Sequence, residues 1–195
     1  MNDTKAIMIV GVGGQGTLLA SRILGNVLLF QGYDVKVSEV HGMSQRGGSV
    51  VTYVKFGKKV YSPIIDRGEA DYILSFERLE AARWLPYLKE GGKIIVNDQR
   101  ISPMPVITGA MGYPQDILAK IKSTGANLIT VDALSLAEEA GNSKSVNVVL
   151  MGLLSSMMDI PTQAWQEVLE ATIKPKFLDV NKKAFELGRS AANAV

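Results

Sequence analysis

The sequence predicts an α/β fold: a Rossmann-like, mainly parallel sheet flanked by helices, with a β-hairpin insertion and a helical C-terminus. Short apolar runs rich in Ile and Val alternate with stretches of helical spacing, as expected of strands buried on both faces and joined by crossover helices. The first run enters four glycines within six residues and then a helix, the opening of a βαβ unit with a right-handed crossover. From residue 145 onward only helical spacing remains.

Lys5–Val12 is a strand by its apolar run, and Thr17–Phe30 (TLLASRILGNVLLF) a helix stopped at Gln31-Gly32. Asp34–Val40 is a second strand, and residues 41–48 (HGMSQRGG) are a loop by composition. Residues 49–56 (SVVTYVKF) read as a strand that turns at Gly57-Lys58-Lys59 into Val60-Tyr61-Ser62-Pro63, an antiparallel hairpin. Next come a buried strand at 70–76, a helix at 77–88 with Pro86 near its end, and a Gly91-Gly92 turn into a strand at 93–97. Pro103, Pro105 and Pro114 mark a connecting region around Val106-Ile107. Beyond it lie a helix at 115–122, a strand at Asn127–Val131 and a short helix at 134–140 ending on Gly141-Asn142. The segment 145–158 (SVNVVLMGLLSSMM) is apolar nearly all round, so it is a helix packed against other elements or against a partner subunit. Helices at 165–173 and 177–192 complete the chain.

Composition narrows the function. The 195 residues suit one domain spanning 1–195, with 47% hydrophobic and 21% charged residues. The net charge of +2 is too balanced for a protein that binds nucleic acid through bulk charge. With no cysteine, the chain cannot ligate an iron–sulfur cluster or a zinc–thiolate site, nor supply a cysteine nucleophile. One histidine, His41, cannot build a multi-His metal site. No stretch reaches the roughly 18 apolar residues of a membrane span. The first apolar run, with Asp3 and Lys5 before it and glycines after it, makes a poor signal peptide. A cytoplasmic location is the expectation.

The chemistry concentrates at two motifs. Gly11, Val12, Gly13, Gly14, Gln15 and Gly16 satisfy G-x-G-x-x-G between a strand and a helix. Glycines there permit positive φ and close approach of a ligand, and the helix N-terminus attracts an anion. Glu39, at the end of the second strand, stands where a dinucleotide fold puts its ribose-binding acid. The glycines equally well build only a tight turn, so nicotinamide or flavin binding and a purely structural role both stay open. His41 lies in the loop expected at the carboxyl edge of the sheet, as an acid–base group or simply a loop histidine bonded to its own backbone. Arg46, between Gln45 and Gly47-Gly48, suits bidentate capture of a carboxylate or phosphate, or pairing with Glu39, or plain solvation. Asn142 reads as a helix cap, Asn147 as a buried amide that needs partners, and the eight methionines as core filler.

GVGGQG, SEVHGMSQRGGSVVTYVKFG, VYSPII and GEADYILSFERLEAARWLPYLKEGGKIIVN together span most of the chain, followed by GN and the Asn-containing apolar helix. They resemble the gamma subunits and domains of 2-oxoacid:ferredoxin oxidoreductases, and HGMSQRGGSV with GEAD…FE…EA resembles the small (beta) subunits of the indolepyruvate branch. The resemblance implies a subunit, inactive alone, of a complex that oxidatively decarboxylates a 2-oxoacid, of indolepyruvate or aryl pyruvate type, to an acyl-CoA. In such complexes thiamine diphosphate with Mg, and 4Fe-4S clusters, belong to a large partner subunit that passes electrons to ferredoxin. The absence of cysteine and of a thiamine-diphosphate motif agrees with that division. Carried over by motif, the watched positions are Gly11, Gly13, Gly14, Gln15, Gly16, Glu39, Gly42, Ser44, Gln45, Gly47 and Gly48, facing the partner's active site or a CoA phosphate. His41 and Arg46 are the catalytic candidates. A free-standing dinucleotide module and a non-catalytic scaffold remain as alternatives. A mean hydropathy of +0.13 with an apolar helix predicts self-association of the isolated subunit.

Overall fold

The structure, a computed structural model, describes residues 4–40 and 48–192. Six strands form one sheet: β1 (Lys5–Val12), β2 (Asp34–Val40), β3 (Ser49–Gly57), β4 (Ala70–Ser75), β5 (Leu88–Asn97) and β6 (Asn127–Val131), in the order β2-β3-β1-β4-β5-β6. β3 is antiparallel to both its neighbours, while β1, β4, β5 and β6 pair in parallel. Ile7, Met8, Ile9 and Val10 of β1 are fully buried, and Ile94, Ile95 and Val96 of β5 likewise, so the continuous apolar runs do mark strands covered on both faces.

One face lies under α1 (Thr17–Phe30), which the sequence delimited to the residue. With Ile7, Ile9 and Leu74, α1 joins a single large core that also takes in the C-terminal helices. The opposite face lies under α2 (Arg78–Trp84), which closes in a 3₁₀ turn at Leu85–Tyr87, and under α4 (Ile117–Ser123). Between β5 and α4 the chain makes an excursion that includes the four-residue helix α3 (Met104–Ile107).

The last third is helical as expected: α5 (Ala133–Ala140), α6 (Val146–Ser155), α7 (Thr162–Thr172) and α8 (Pro175–Ala191). The apolar α6 is buried within this subunit, chiefly against α8. Their backbones touch. A Cβ on Gly152 would lie 2.0 Å from the Phe185 carbonyl oxygen, and one on Gly188 2.0 Å from that of Val149. Among the described residues no helix is long and apolar enough to cross a membrane.

The expected hairpin is not formed. Residues 60–63 are outside the sheet, and β3 pairs instead with β2 and β1. With both edges of β3 taken, no ladder positions remain for a returning arm. The Val60 N–H donates to the Asp34 carboxylate at 2.9 Å. Two smaller differences concern β5 and the methionines. β5 starts at Leu88 and carries Gly91-Gly92 inside it, with a register shift against β4 between Ala70 and Tyr72. Nor are all the methionines core filler: Met8 and Met151 are fully buried, but Met104 and Met111 are exposed.

Candidate site at the carboxyl edge of the sheet

The glycine turn sits where β1 runs into α1, at the carboxyl ends of β1, β4 and β5. Gln15 folds back over this edge. Its Oε1 accepts from the Val12 N–H at 2.7 Å, and its Nε2 donates to the Phe76 carbonyl at 2.9 Å and to Gln99 Oε1 at 3.2 Å. Asn97, fully buried at the end of β5, donates from Nδ2 to the same Phe76 carbonyl and to Gln99 Oε1, and accepts from the Ala133 N–H at 3.1 Å. Three side-chain amides thus tie the ends of three strands to the start of α5, each pairing donors and acceptors that would be costly to bury alone.

Two glycines are dictated by close approach. A Cβ on Gly11 would lie 2.9 Å from both Gln15 Oε1 and Phe76 Cβ. Gly16 caps α1 in the left-handed region (φ 82°), and a Cβ there would fall 2.8 Å from Asn147 Nδ2. Asn147 donates to the Gly16 carbonyl at 3.2 Å, so the buried amide of α6 finds its partner within the subunit and pins the turn. Gly13 N–H donates to the Gly48 carbonyl at 2.9 Å, which joins the turn to the start of β3.

The turn separates two clefts. One, about 310 Å³, is lined by Gly13, Gly14, Gly16, Thr17, Leu18, Val50 and Thr52. The other, about 490 Å³, is lined by Gly14, Gln15, Gly16, Gln99, Leu134, Ser143, Lys144 and Val146. Among the described residues no side chain caps α1, and no acid occupies its first turn, so the positive end of the helix opens into a cleft that Lys144 also lines. That arrangement suits a phosphate or carboxylate.

Beside the amides lies a group of buried carboxylates. Glu77, 1% exposed, caps α2: its Oε2 accepts from the Glu80 N–H at 3.0 Å, and its Oε1 accepts from the Ile101 N–H at 3.2 Å and from the Tyr113 hydroxyl. Burial, and after it the bond to Glu77, hold the Tyr113 phenol well above its ordinary value, so it stays a donor. Glu80 accepts from the Ser49 hydroxyl at the head of β3, from Trp84 Nε1 at 3.3 Å and from Arg83 Nε at 3.2 Å.

Of the expected site residues, Gly11, Gly13, Gly14, Gln15, Gly16 and Gly48 assemble at this edge. His41, Gly42, Ser44, Gln45, Arg46 and Gly47 lie outside the described residues. Glu39 is on β2, which the insertion of β3 separates from β1: it aligns with Thr52, which aligns in turn with Ile9. Two strand spacings of about 4.8 Å each stand between it and β1, one more than in a dinucleotide fold whose second strand adjoins the first. Its Oε1 accepts from the Ser21 hydroxyl at 2.8 Å. The anchoring roles of Asn97, Gln99, Glu77, Glu80 and Tyr113 were not read from sequence, although an acid at 77 with another three residues on carries the spacing of a helix cap. Among the described residues no group of three or more His, Cys, Asp or Glu side chains is placed to hold a metal.

A family model described as pyruvate ferredoxin/flavodoxin oxidoreductase matches residues 6–191. The chain belongs to this family. Indolepyruvate oxidoreductase subunit IorB of Thermococcus kodakarensis is 48% identical over 191 residues, 95% of each chain. The fold recurs in the gamma subunit of a keto/oxoacid ferredoxin oxidoreductase from Geobacter sulfurreducens, with a TM-score of 0.72, 21% identity, and 98% of this chain and 99% of that one covered. It recurs too in 2-oxoglutarate:ferredoxin oxidoreductase from Magnetococcus marinus, with a TM-score of 0.78 and 20% identity, covering all of this chain and 32% of that one. That last structure was solved with 2-oxoglutarate, coenzyme A and succinyl-CoA bound. The same fold thus occurs both as a separate chain and as part of a longer one.

Proposed function

We propose that the chain is the small subunit of an indolepyruvate-type 2-oxoacid:ferredoxin oxidoreductase, forming one domain over residues 1–195 and working in the cytoplasm as part of a heteromer. The observation that carries this reading is the 48% identity, extending over 95% of both chains, to a protein named as a subunit of an indolepyruvate oxidoreductase. The reaction is the oxidative decarboxylation of an aryl 2-oxoacid to its acyl-CoA, with the electrons passed to ferredoxin. Thiamine diphosphate supplies the carbanion chemistry and iron–sulfur clusters the electron path. The residues of this chain do not fit either group. It has no cysteine, and among the described residues no three or more His, Cys, Asp or Glu side chains gather to hold a metal. Those groups accordingly belong to a larger partner subunit.

What this chain does fit is an anion at the glycine turn. The uncapped N-terminus of α1 and Lys144 border the same cleft, and Gln15, Asn97 and Gln99 hold its floor rigid. In the proposed role this edge faces the partner's reaction chamber and receives a CoA phosphate, with His41, Ser44, Gln45 and Arg46 in the adjoining loop completing the contact. The one-strand displacement of Glu39 from the turn weighs against the alternative of a free-standing dinucleotide module.

Reconstitution tests this. The purified chain is expected to show no flavin or iron–sulfur absorbance and no 2-oxoacid-dependent dye reduction. Adding the large cluster-bearing subunit is expected to yield CoA-dependent turnover of indolepyruvate in preference to pyruvate. Turnover by the solitary chain, or tight saturable binding of NAD or FAD to it, would overturn the proposal.

A further inference from the structure

The excursion between β5 and α4 stands apart from the rest of the surface. Residues 101–115 (ISPMPVITGAMGYPQ) contain no charged side chain, in a protein where 21% of residues are charged. Yet Met104, Ile107 and Met111 are 63%, 66% and 65% exposed. Two of them lie one turn apart on α3 and the third follows shortly after, so they present an apolar surface to water instead of burying it.

This apolar surface rests on a rigid stem. The Ile101 N–H and the Tyr113 hydroxyl, at the two ends of the excursion, both donate to the buried Glu77. Within it the Met111 N–H donates to the Pro105 carbonyl at 3.0 Å, and the Thr108 hydroxyl to that of Met104 at 3.0 Å. Arg100 lies across the Tyr113 ring, 4.2 Å from its centroid, and among the described residues it makes no hydrogen bond or ion pair. Its side chain borders the cleft of about 320 Å³ that Arg78 and Asp116 also line. Methionine, aromatic rings and arginine with few lysines or acids is the composition of an interface core, and a preformed stem lowers the ordering cost of docking.

We infer that this excursion is the surface on which the large partner subunit docks, its apolar tip entering a hydrophobic socket whose rim offers a carboxylate to Arg100. The inference rests on the functional reading above. Position supports that occupant: Glu77, which holds the stem, follows Phe76, whose carbonyl receives Gln15 of the glycine turn. A subunit covering the glycine turn is thereby brought over the excursion.

The test uses the full chain with Met104→Asp and Ile107→Asp together, and binding to the immobilised large subunit. The dissociation constant is expected to rise by about tenfold or more, while the thermal transition of the isolated variant stays at the wild-type value. The Met104→Leu, Ile107→Leu pair restores binding, and Arg100→Gln weakens it and flattens its salt dependence. Wild-type affinity in the Asp variant overturns the inference, as does a variant that changes only the self-association of this chain. Should the wild-type chain fail to bind the large subunit, the functional reading itself falls; should it bind equally with and without the substitutions, only the docking surface does.

Discussion

The two faces of the sheet are built to different ends. Under α1 and α5–α8 the core is large and dry, with Trp165, Phe185 and the leucines of α6 packed to zero exposure. Under α2 and α4 the core is smaller, and at its carboxyl end it buries Glu77, Glu80 and Tyr113. The first face spends its contacts on stability. The second buries charge, which is worth retaining only where it fixes something, and here it fixes the head of β3, the cap of α2 and both ends of the exposed excursion.

The largest expected effect belongs to the dry face. Gly152→Val would push a side chain into the Phe185 carbonyl, which lies 2.0 Å from the Cβ position. Neither helix can yield without repacking the core, so we expect a loss of about 3 kcal/mol or more by urea unfolding. A cost under about 1 kcal/mol would mean that α6 and α8 slide apart freely, and that the contrast between the faces is overstated.

On the polar face the expected loss is smaller but carries a pH signature. Tyr113→Phe removes one donor to Glu77, at a cost of about 1–2 kcal/mol near neutral pH. In the folded protein burial first, and the Glu77 bond second, raise the phenol above its ordinary value of 10.0. Folding therefore favours the protonated phenol. Its contribution is complete below pH 10 and is lost as the pH climbs above it, so wild type and variant converge in alkali. Urea midpoints measured from pH 7 to pH 11 check this, and a difference that stays constant would place the phenol in water.

Much of this arrangement was legible in the sequence. α1, β2 and β6 were delimited to the residue, because a helical apolar stripe and β-branched runs bounded by glycine are local signals. The hairpin failed for a non-local reason: nothing in residues 49–63 says that β3 will insert between β1 and β2 and use both its edges. The glycine turn was found by motif, but its locking by Asn147, 131 positions away from Gly16, depends on the tertiary fold. So do the roles of Glu77 and Tyr113, separated by 36 positions. Gln15 read as a motif letter; only the folded edge shows it joining the ends of three strands.

The smallest effect comes from a job performed on both faces. Glu77 caps α2 in the interior, while Asp132 caps α5 in solvent, accepting from the Ser135 N–H at 3.0 Å and from its hydroxyl at 2.6 Å. Those two bonds hold the Asp132 carboxyl below its ordinary value of 3.8. Asp132→Ala should cost about 1 kcal/mol at pH 7, the usual worth of an exposed cap. Because the folded value is depressed, this stabilisation is present above pH 3.8 and disappears as the pH falls through the folded value. Thermal melts of variant and wild type should therefore coincide in strong acid and separate by a few degrees at neutrality. If Asp132→Ala cost as much as Gly152→Val, the dry face would depend on its solvent-exposed caps as heavily as on its packing, and the distinction between the faces would fail at its margin.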